Sequence, residues 1–162
     1  MISYYTSVDN CICKIDDAQP GCWVNVIDPE PEEIYILRKQ FGVDEEYIRS
    51  SLDDEESARI ENENGDVFLI YDVPYAEREE NDIVYYTMPV GIIVKPQYII
   101  SVALKDNPVI MDFAQGVVKN VKTSFKTNLS CIICSLLRYV SILHCISETS
   151  CSFIVVSPFF NK

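Results

Sequence analysis

The chain has 162 residues, of which 48% are hydrophobic and 23% charged, so it is long enough and apolar enough to fold around one sizeable core. Its formal net charge is −12, with 23 acidic and 8 basic residues in positions 1–106. This composition argues against intrinsic disorder and against nucleic-acid binding, and it makes cations the natural small partners.

Three short strands are predicted at the start of the chain. Ile2–Tyr5 and Cys11–Ile15 are apolar stretches joined by a polar turn at 7–10, a pattern typical of a hairpin. Cys22–Ile27 follows a Gln-Pro-Gly turn and is rich in β-branched residues, which favours a third strand.

Two helices are predicted next. Asp28 and Pro29 supply a cap and a first-turn proline, and the apolar residues that follow share one helical face: Ile34, Leu37 and Phe41. Gly42 should end this helix. A second, shorter helix is predicted to begin at Asp44 and to end at Leu52.

A polar stretch separates these helices from the next strand. Residues 53–64 are polar and close in a turn at Asn64-Gly65. Asp66–Val73 alternates apolar and polar residues and is predicted to be a strand, and Glu77–Asp82 is predicted to be a charged loop.

The most apolar part of the chain follows. Ile83–Val94 and Tyr98–Ala103 are predicted to pair as a hairpin at the middle of a sheet, because both faces of each run are apolar. Asn107-Pro108 should start a helix, with one apolar face formed by Val109, Ile110, Phe113 and Val117. A last helix is predicted over 124–146. These elements predict an α/β fold: a mixed parallel and antiparallel sheet covered by helices on both faces, an αβα sandwich.

The order of several short motifs resembles one family. Trp23-Val24-Asn25-Val26 resembles the Trp-Ile-Asn-Ile strand near the start of CorA-family magnesium and cobalt transporters. The matching motifs then follow in the family's order: Pro29–Glu33, Phe41–Val43, a helix ending in Leu52, Arg59–Glu61, Asp66–Asp72, Gly91–Val94 and Tyr98–Val102. We assign residues 1–127 to a CorA-like cytoplasmic α/β domain. Residues 128–162 are assigned to the start of a stalk helix and an atypical tail.

The resemblance implies a regulatory domain at the cytoplasmic face of the cell membrane that assembles as a homopentamer and senses Mg²⁺ between subunits. It also implies a stalk leading to two membrane-spanning helices and a Gly-Met-Asn motif. This chain has no Gly-Met-Asn, and Arg138 and His144 interrupt its most apolar stretch, 129–146. We therefore expect a chain truncated before the membrane part, with a frame shift as the hypothesis for its tail. The alternative is an autonomous or non-functional truncated interaction protein of the same fold.

A candidate metal site lies just after the second predicted helix. Asp53, Asp54, Glu55 and Glu56 are consecutive acids, and a regulatory Mg²⁺ needs only one or two carboxylates because it keeps much of its water. The resemblance places one sensing carboxylate on this helix, where the aligned residue is Ser50. The alternative interpretation is a solvated acidic helix end.

Nothing in the sequence indicates an enzyme. The seven cysteines are expected to be reduced and mostly buried. Cys131 and Cys134 have redox or metal spacing, but a helical surrounding favours structural thiols. Cys11 and Cys13 alternate along a strand, which permits a metal contact, although core packing is the simpler interpretation. His144 is the only histidine, and it lacks a suitably placed nucleophile.

Overall fold

The computed structural model describes residues 1–9, 11–79 and 82–117. In chain order the elements are β1 (Ile2–Val8), β2 (Cys11–Ile15), β3 (Trp23–Ile27), α1 (Pro31–Gln40), α2 (Glu45–Ser51), β4 (Arg59–Glu63), β5 (Asp66–Glu79), β6 (Asp82–Val94), β7 (Ile99–Ala103) and α3 (Pro108–Ala114). The strands form one sheet in the order β2-β1-β3-β7-β6-β5-β4. The β3–β7 pair is parallel and the remaining pairs are antiparallel, so the predicted mixed sheet is confirmed.

Helices cover both faces of this sheet. Residues of α1 and α2 join one apolar cluster, in which Leu37 and Ile48 are fully buried together with Val24 and Ile100 of the sheet. The opposite cluster contains Ile110 and Phe113 of α3. The centre of the sheet is therefore enclosed from two sides, and all five residues of β7 are buried.

A buried polar chain crosses the parallel β3–β7 pair. The Trp23 indole N–H donates to Ser101 Oγ at 2.8 Å, and the Ser101 hydroxyl donates to Asn25 Oδ1 at 2.7 Å. Asn25 and Ser101 face each other in the register of the two strands. These bonds satisfy polar groups that would be costly to bury alone.

Helix α1 begins two residues later than the sequence pattern predicts. Glu30 is the cap and Pro31 the first helical residue, whereas Asp28 has φ +43° in the preceding turn. The Glu33 carboxylate accepts from the Glu30 N–H at 3.0 Å, which fixes the start at the second of two neighbouring Pro-Glu pairs. The end at Gly42 is confirmed by its φ of +63°.

Strand β4 lies within the polar stretch 53–64, for which the sequence pattern predicts no strand. Arg59–Glu63 pairs with β5 across a tight turn in which Asn64 and Gly65 have positive φ. β4 lies at the edge of the sheet, and its one apolar side chain, Ile60, is 72% exposed. Because neither face of this strand is buried, its sequence does not alternate apolar and polar residues. Its backbone bonds to β5 hold it in place independently of that pattern.

The hairpin of β5 and β6 is longer than predicted. Residues 77–79 belong to β5, and β6 begins at Asp82. The prediction of a charged loop over Glu77–Asp82 is therefore wrong for most of that range. Tyr75 and Tyr86 stack across the two strands at 5.8 Å, and the Tyr86 hydroxyl donates to Glu77 at 2.8 Å. These cross-strand contacts stabilise strand pairing at charged positions.

The last described element is α3. Its predicted start at Asn107-Pro108 is confirmed, since the Ile110 N–H donates to Asn107 Oδ1 at 3.4 Å. Val117 is predicted on its apolar face but is 56% exposed, because the helix ends at Ala114. The helix predicted over 124–146 lies outside the described residues, and the division at 127 stays a prediction.

Candidate functional site

The acidic loop, defined as Asp53–Glu56, joins the end of α2 to β4. Asp44 caps α2 by accepting from the Glu46 N–H at 2.9 Å, and Ser51 at the other end is buried against β6. The loop is held at one end by α2, which packs on the sheet, and at the other end by β4, which is the edge strand of the sheet. Its acidic side chains therefore extend from a fixed support.

The loop has internal hydrogen bonds that fix its shape. Asp53 Oδ1 accepts from the Glu55 N–H at 3.1 Å, and the Asp53 carbonyl accepts from the Glu56 N–H at 3.1 Å. The side chains of Asp53, Asp54 and Glu55 are exposed. Three carboxylates thus point into solvent within three consecutive residues.

Glu56 differs from the other three acids because Arg59 holds it. The Arg59 guanidinium lies 2.7 Å from Glu56, bonds Glu61, and donates to Ser50 Oγ at 3.0 Å. Hydrogen bonds from Arg59, and then from Ser50, lower the pKa of Glu56. The bonds to Glu61 and Glu56 raise the pKa of Arg59. Ser50, which aligns with the predicted sensing position, is buried within this cluster.

The remaining acids of the loop form no ion pair with any residue that the structure describes. Within residues 1–9, 11–79 and 82–117, no group of three or more acidic, Cys or His side chains is arranged to hold a metal ion. A cation at Asp53–Glu55 would therefore complete its shell with water or with ligands from another chain. The predicted Mg²⁺ site stays a prediction.

A groove of about 480 Å³ lies next to α2, and sequence reasoning missed it. It runs between the end of α1, the start of α2 and the β4–β5 turn, and its walls include Arg38, Asp44, Glu45, Glu63 and Asp66. Arg38 pairs with Glu45 at 2.6 Å, and Lys95 pairs with Asp66 and donates to the Gly42 carbonyl at 3.0 Å. The positively charged side chains of Arg38 and Lys95 therefore neutralise part of the acidic wall of this groove. The Asn64-Gly65 pair predicts the turn that forms one wall of the groove, and it is the signal in the sequence that relates to this groove.

The cysteines are predicted to be mostly buried, but of the described cysteines one is buried and two are exposed. Cys22 is buried in the core, and burial raises the pKa of its thiol. Cys11 and Cys13 are free and exposed, so core packing is the wrong interpretation for this pair. They lie on the edge strand β2. Cys131, Cys134 and His144 lie outside the described residues.

None of the helices in the described part of the chain combines the length and the apolar character needed to span a bilayer.

The chain matches a known protein family over most of its length. Residues 18–140 match the family described as "CorA-like Mg2+ transporter protein". A curated relative, the cobalt/magnesium transport protein CorA of Methanocaldococcus jannaschii, is 30% identical over 80 residues, which are 49% of this chain and 24% of that protein.

Solved structures share the fold. The complete CorA magnesium transporter of M. jannaschii has a TM-score of 0.69 at 18% identity, and its soluble domain has 0.68 at 21%. The ZntB cytoplasmic domain of Vibrio parahaemolyticus has 0.61 at 15%. Each alignment covers 91% of this chain, but 48%, 60% and 62% of the three chains respectively. The chain thus spans about a quarter of the curated relative and about half to three fifths of these structures.

Proposed function

Because the chain belongs to the CorA-like Mg²⁺ transporter family, we propose that it acts as the regulatory domain of a divalent-cation transporter at the cytoplasmic face of the cell membrane. The predicted family resemblance is confirmed by that match. In this proposal Mg²⁺ binds at the acidic loop and links neighbouring subunits. The observation that carries it is the presence of three exposed carboxylates, Asp53, Asp54 and Glu55, that have no ion-pair partner among the described residues and stand on a loop with internal hydrogen bonds.

The donor set of the acidic loop suits magnesium. Mg²⁺ prefers oxygen ligands in octahedral geometry and gives up its water reluctantly, so it commonly binds through one or two carboxylates. Asp53 and Asp54 offer such oxygens without first breaking an ion pair to any described residue. Glu56 is the poorer ligand, since Arg59 would have to release it. We expect the first two acids to provide most of the affinity.

Regulation follows from the charge of the domain. Copies that each carry a formal charge of −12 repel one another, and a divalent cation between two acidic surfaces offsets that repulsion. We propose that bound Mg²⁺ holds a homopentamer with a closed pore. Loss of Mg²⁺ then lets the carboxylates separate and opens it. The name of the curated relative supports Mg²⁺ or Co²⁺ as the transported ion.

Measuring the mass of the purified chain in solution tests the proposal. Light scattering after gel filtration should give the 18.5 kDa of one chain without metal and a larger species in millimolar Mg²⁺. Mg²⁺ that binds only the folded state should also raise the free energy of unfolding, by about 1.4 kcal/mol at ten times its Kd. NaCl of equal ionic strength should have a much smaller effect on both quantities, because it screens the charge repulsion without bridging two carboxylates.

A matched pair of variants locates the effect. Asp53→Asn/Asp54→Asn should lose the response to Mg²⁺, whereas Asp16→Asn/Asp17→Asn should keep it. Both variants remove two exposed acids, but Asp16 and Asp17 follow β2 at the opposite edge of the sheet. Equal loss in both would assign the response to overall charge. A wild-type chain that ignores Mg²⁺ would contradict the proposal and favour the autonomous interaction protein of the same fold.

A further inference from the structure

Cys11 and Cys13 form an exposed thiol pair on one face of β2. They alternate with Ile12, whose side chain enters the core on the opposite face. Strand β2 is an edge strand, paired only with β1 among the described elements, and Thr6 and Val8 lie opposite the two cysteines. Cysteine is among the most frequently buried residues, so two exposed thiols on one strand face need an explanation.

The spacing of the pair excludes a disulfide between its members. Alternate residues on a strand lie about 6.6 Å apart, from a rise of about 3.3 Å per residue. A disulfide needs Cβ atoms only about 3.5–4.5 Å apart, so closing it would require the backbone to move. A metal ion bound between the two sulfur atoms bridges a longer distance than an S–S bond does. With metal–sulfur bonds of about 2.3 Å, as zinc makes, a linear S–metal–S unit covers roughly 4.6 Å, which the side chains reach by leaning toward each other.

The surroundings of the pair limit the choice of ion. Thr6 and Val8 supply no strong third ligand, and no third Cys, His, Asp or Glu joins the pair within the part of the chain that the structure describes. Zinc usually needs four protein or water ligands, and magnesium needs oxygen. A site with only two ligands, both soft thiolates, suits a thiophilic ion that accepts low coordination. Cu⁺ is the example among the first-row metals.

The geometry points to a two-coordinate Cu⁺ site formed by Cys11 and Cys13 of a single chain. Binding replaces the two S–H protons: Cu⁺ and two thiols give a bis-thiolate copper centre of charge −1 and two released protons. No electron is transferred and no other reactant is consumed. The acidic body of the protein attracts the cation toward this exposed edge.

This site is separate from the acidic loop. β2 and β4 are the two edges of the seven-stranded sheet, so six strand spacings of about 4.8 Å, roughly 29 Å in all, lie between them. The ligand chemistry also differs, with sulfur at one edge and oxygen at the other. Failure of either proposal therefore leaves the other standing.

Alkylation mapped residue by residue tests the copper site. The reduced full-length chain is treated without oxygen with one equivalent of Cu⁺, alkylated with a maleimide, digested and analysed by mass spectrometry. We expect Cu⁺ to slow alkylation of Cys11 and Cys13 together by about tenfold or more, because a metal-bound thiolate is not free to attack. The buried Cys22 serves as an internal reference whose low reactivity should not change.

Variants decide whether the two thiols act as one site. Cys13→Ser should remove the protection of Cys11, and Cys11→Ser should remove that of Cys13. Cys131→Ser/Cys134→Ser, which deletes the other closely spaced pair, should leave both protected. Unchanged alkylation with Cu⁺, or protection of one thiol without the other, would overturn the proposal. Protection seen only in a dimer, by gel filtration of the same samples, would also overturn it, since the thiols would then bridge two chains.

Discussion

The centre of the sheet and the acidic loop are built on opposite principles. β7 is buried along its whole length between β3 and β6. Asp53, Asp54 and Glu55, in contrast, are exposed and form no ion pair with a Lys or Arg side chain among the described residues. The centre gains stability from packing that leaves no room for change. The loop keeps its charges in water, where they cost little and remain available for a ligand. Stability and the proposed metal binding should therefore be separable by mutation in this protein.

The largest effect is expected at Gly91 in the centre. A Cβ there would lie 1.8 Å from Ser51 Oγ and 2.7 Å from Ser51 Cβ, so α2 sits directly on the backbone of β6. Gly91→Ala should lower the free energy of unfolding by about 3 kcal/mol, at the upper end for an overpacked core. Urea unfolding followed by the fluorescence of the single tryptophan, Trp23, measures it.

A double variant separates this clash from other effects of alanine. Ser51→Gly removes the two atoms nearest to the new Cβ and leaves only Phe68 Cε2, at 3.2 Å, as a tight neighbour. Ser51→Gly/Gly91→Ala should therefore be more stable than the sum of the two single changes predicts. Simple additivity would show that α2 and β6 do not touch at this point. That outcome would contradict the fixed support proposed for the acidic loop.

A smaller loss is expected from Ser101→Ala, which breaks the buried polar chain. The Trp23 N–H and Asn25 Oδ1 would both lose their partner. Leaving buried polar groups unsatisfied costs about 1–3 kcal/mol, and we expect about 2 kcal/mol in urea unfolding. Ser57→Ala, at an exposed position of the α2–β4 connection, is the control and should change stability little. Equal effects of the two variants would contradict the role of the polar chain.

Glu33 links stability to pH away from the centre. Partial burial opposes its ionisation, but hydrogen bonds from the N-terminal ammonium group and from the Glu30 and Ile2 N–H groups outweigh burial and lower its pKa. A carboxylate of lowered pKa stabilises the fold above its unfolded pKa of about 4.3, and this stability is lost as the pH falls through the folded pKa.

Glu33→Gln should therefore lower stability at neutral pH and flatten its fall below about pH 4.3. We expect at most about 1 kcal/mol, since water screens a partly exposed pair. The measurement is urea unfolding from pH 3 to pH 7, with Glu32→Gln in the same helical turn as the control. A wild-type slope that persists in Glu33→Gln would assign the pH dependence to other carboxylates.

The smallest stability change is expected at the acidic loop itself. Asp53→Asn/Asp54→Asn should shift the free energy of unfolding by less than about 0.5 kcal/mol without metal, because both side chains are exposed. An asparagine in place of Asp53 can still accept the bond from the Glu55 N–H through its side-chain oxygen. A loss comparable to that of Ser101→Ala would erase the distinction between the two regions.

Much of the fold could be predicted because its signals are local. The turn before Trp23, the cap at Asp44 and the two apolar runs of β6 and β7 each predict an element of the correct type. The errors came where a pattern was ambiguous or absent. Two adjacent Pro-Glu pairs offered alternative starts for α1, and β4 has no buried face to mark it.

The candidate site was less accessible to prediction. The sequence predicted four consecutive acids as candidate metal ligands, and this prediction stays untested. That Glu56 is ion-paired and the other three are not depends on Arg59, which reaches Glu56 and Ser50 because β4 turns back beside α2. The exposure of Cys11 and Cys13 depends on their strand lying at an edge of the sheet. Neither fact can be derived from spacing along the chain.

The sequence by itself determined the family, the mixed sheet and the acidic character of this protein, because periodicity, turn residues and charge are properties of neighbouring positions. The tertiary structure decided which strands became edges, which carboxylates of the described residues stayed without an ion pair and which thiols face water. The physical reason is that strand order and long-range ion pairs join residues far apart in the chain. The free energy of such contacts depends on the whole packed fold.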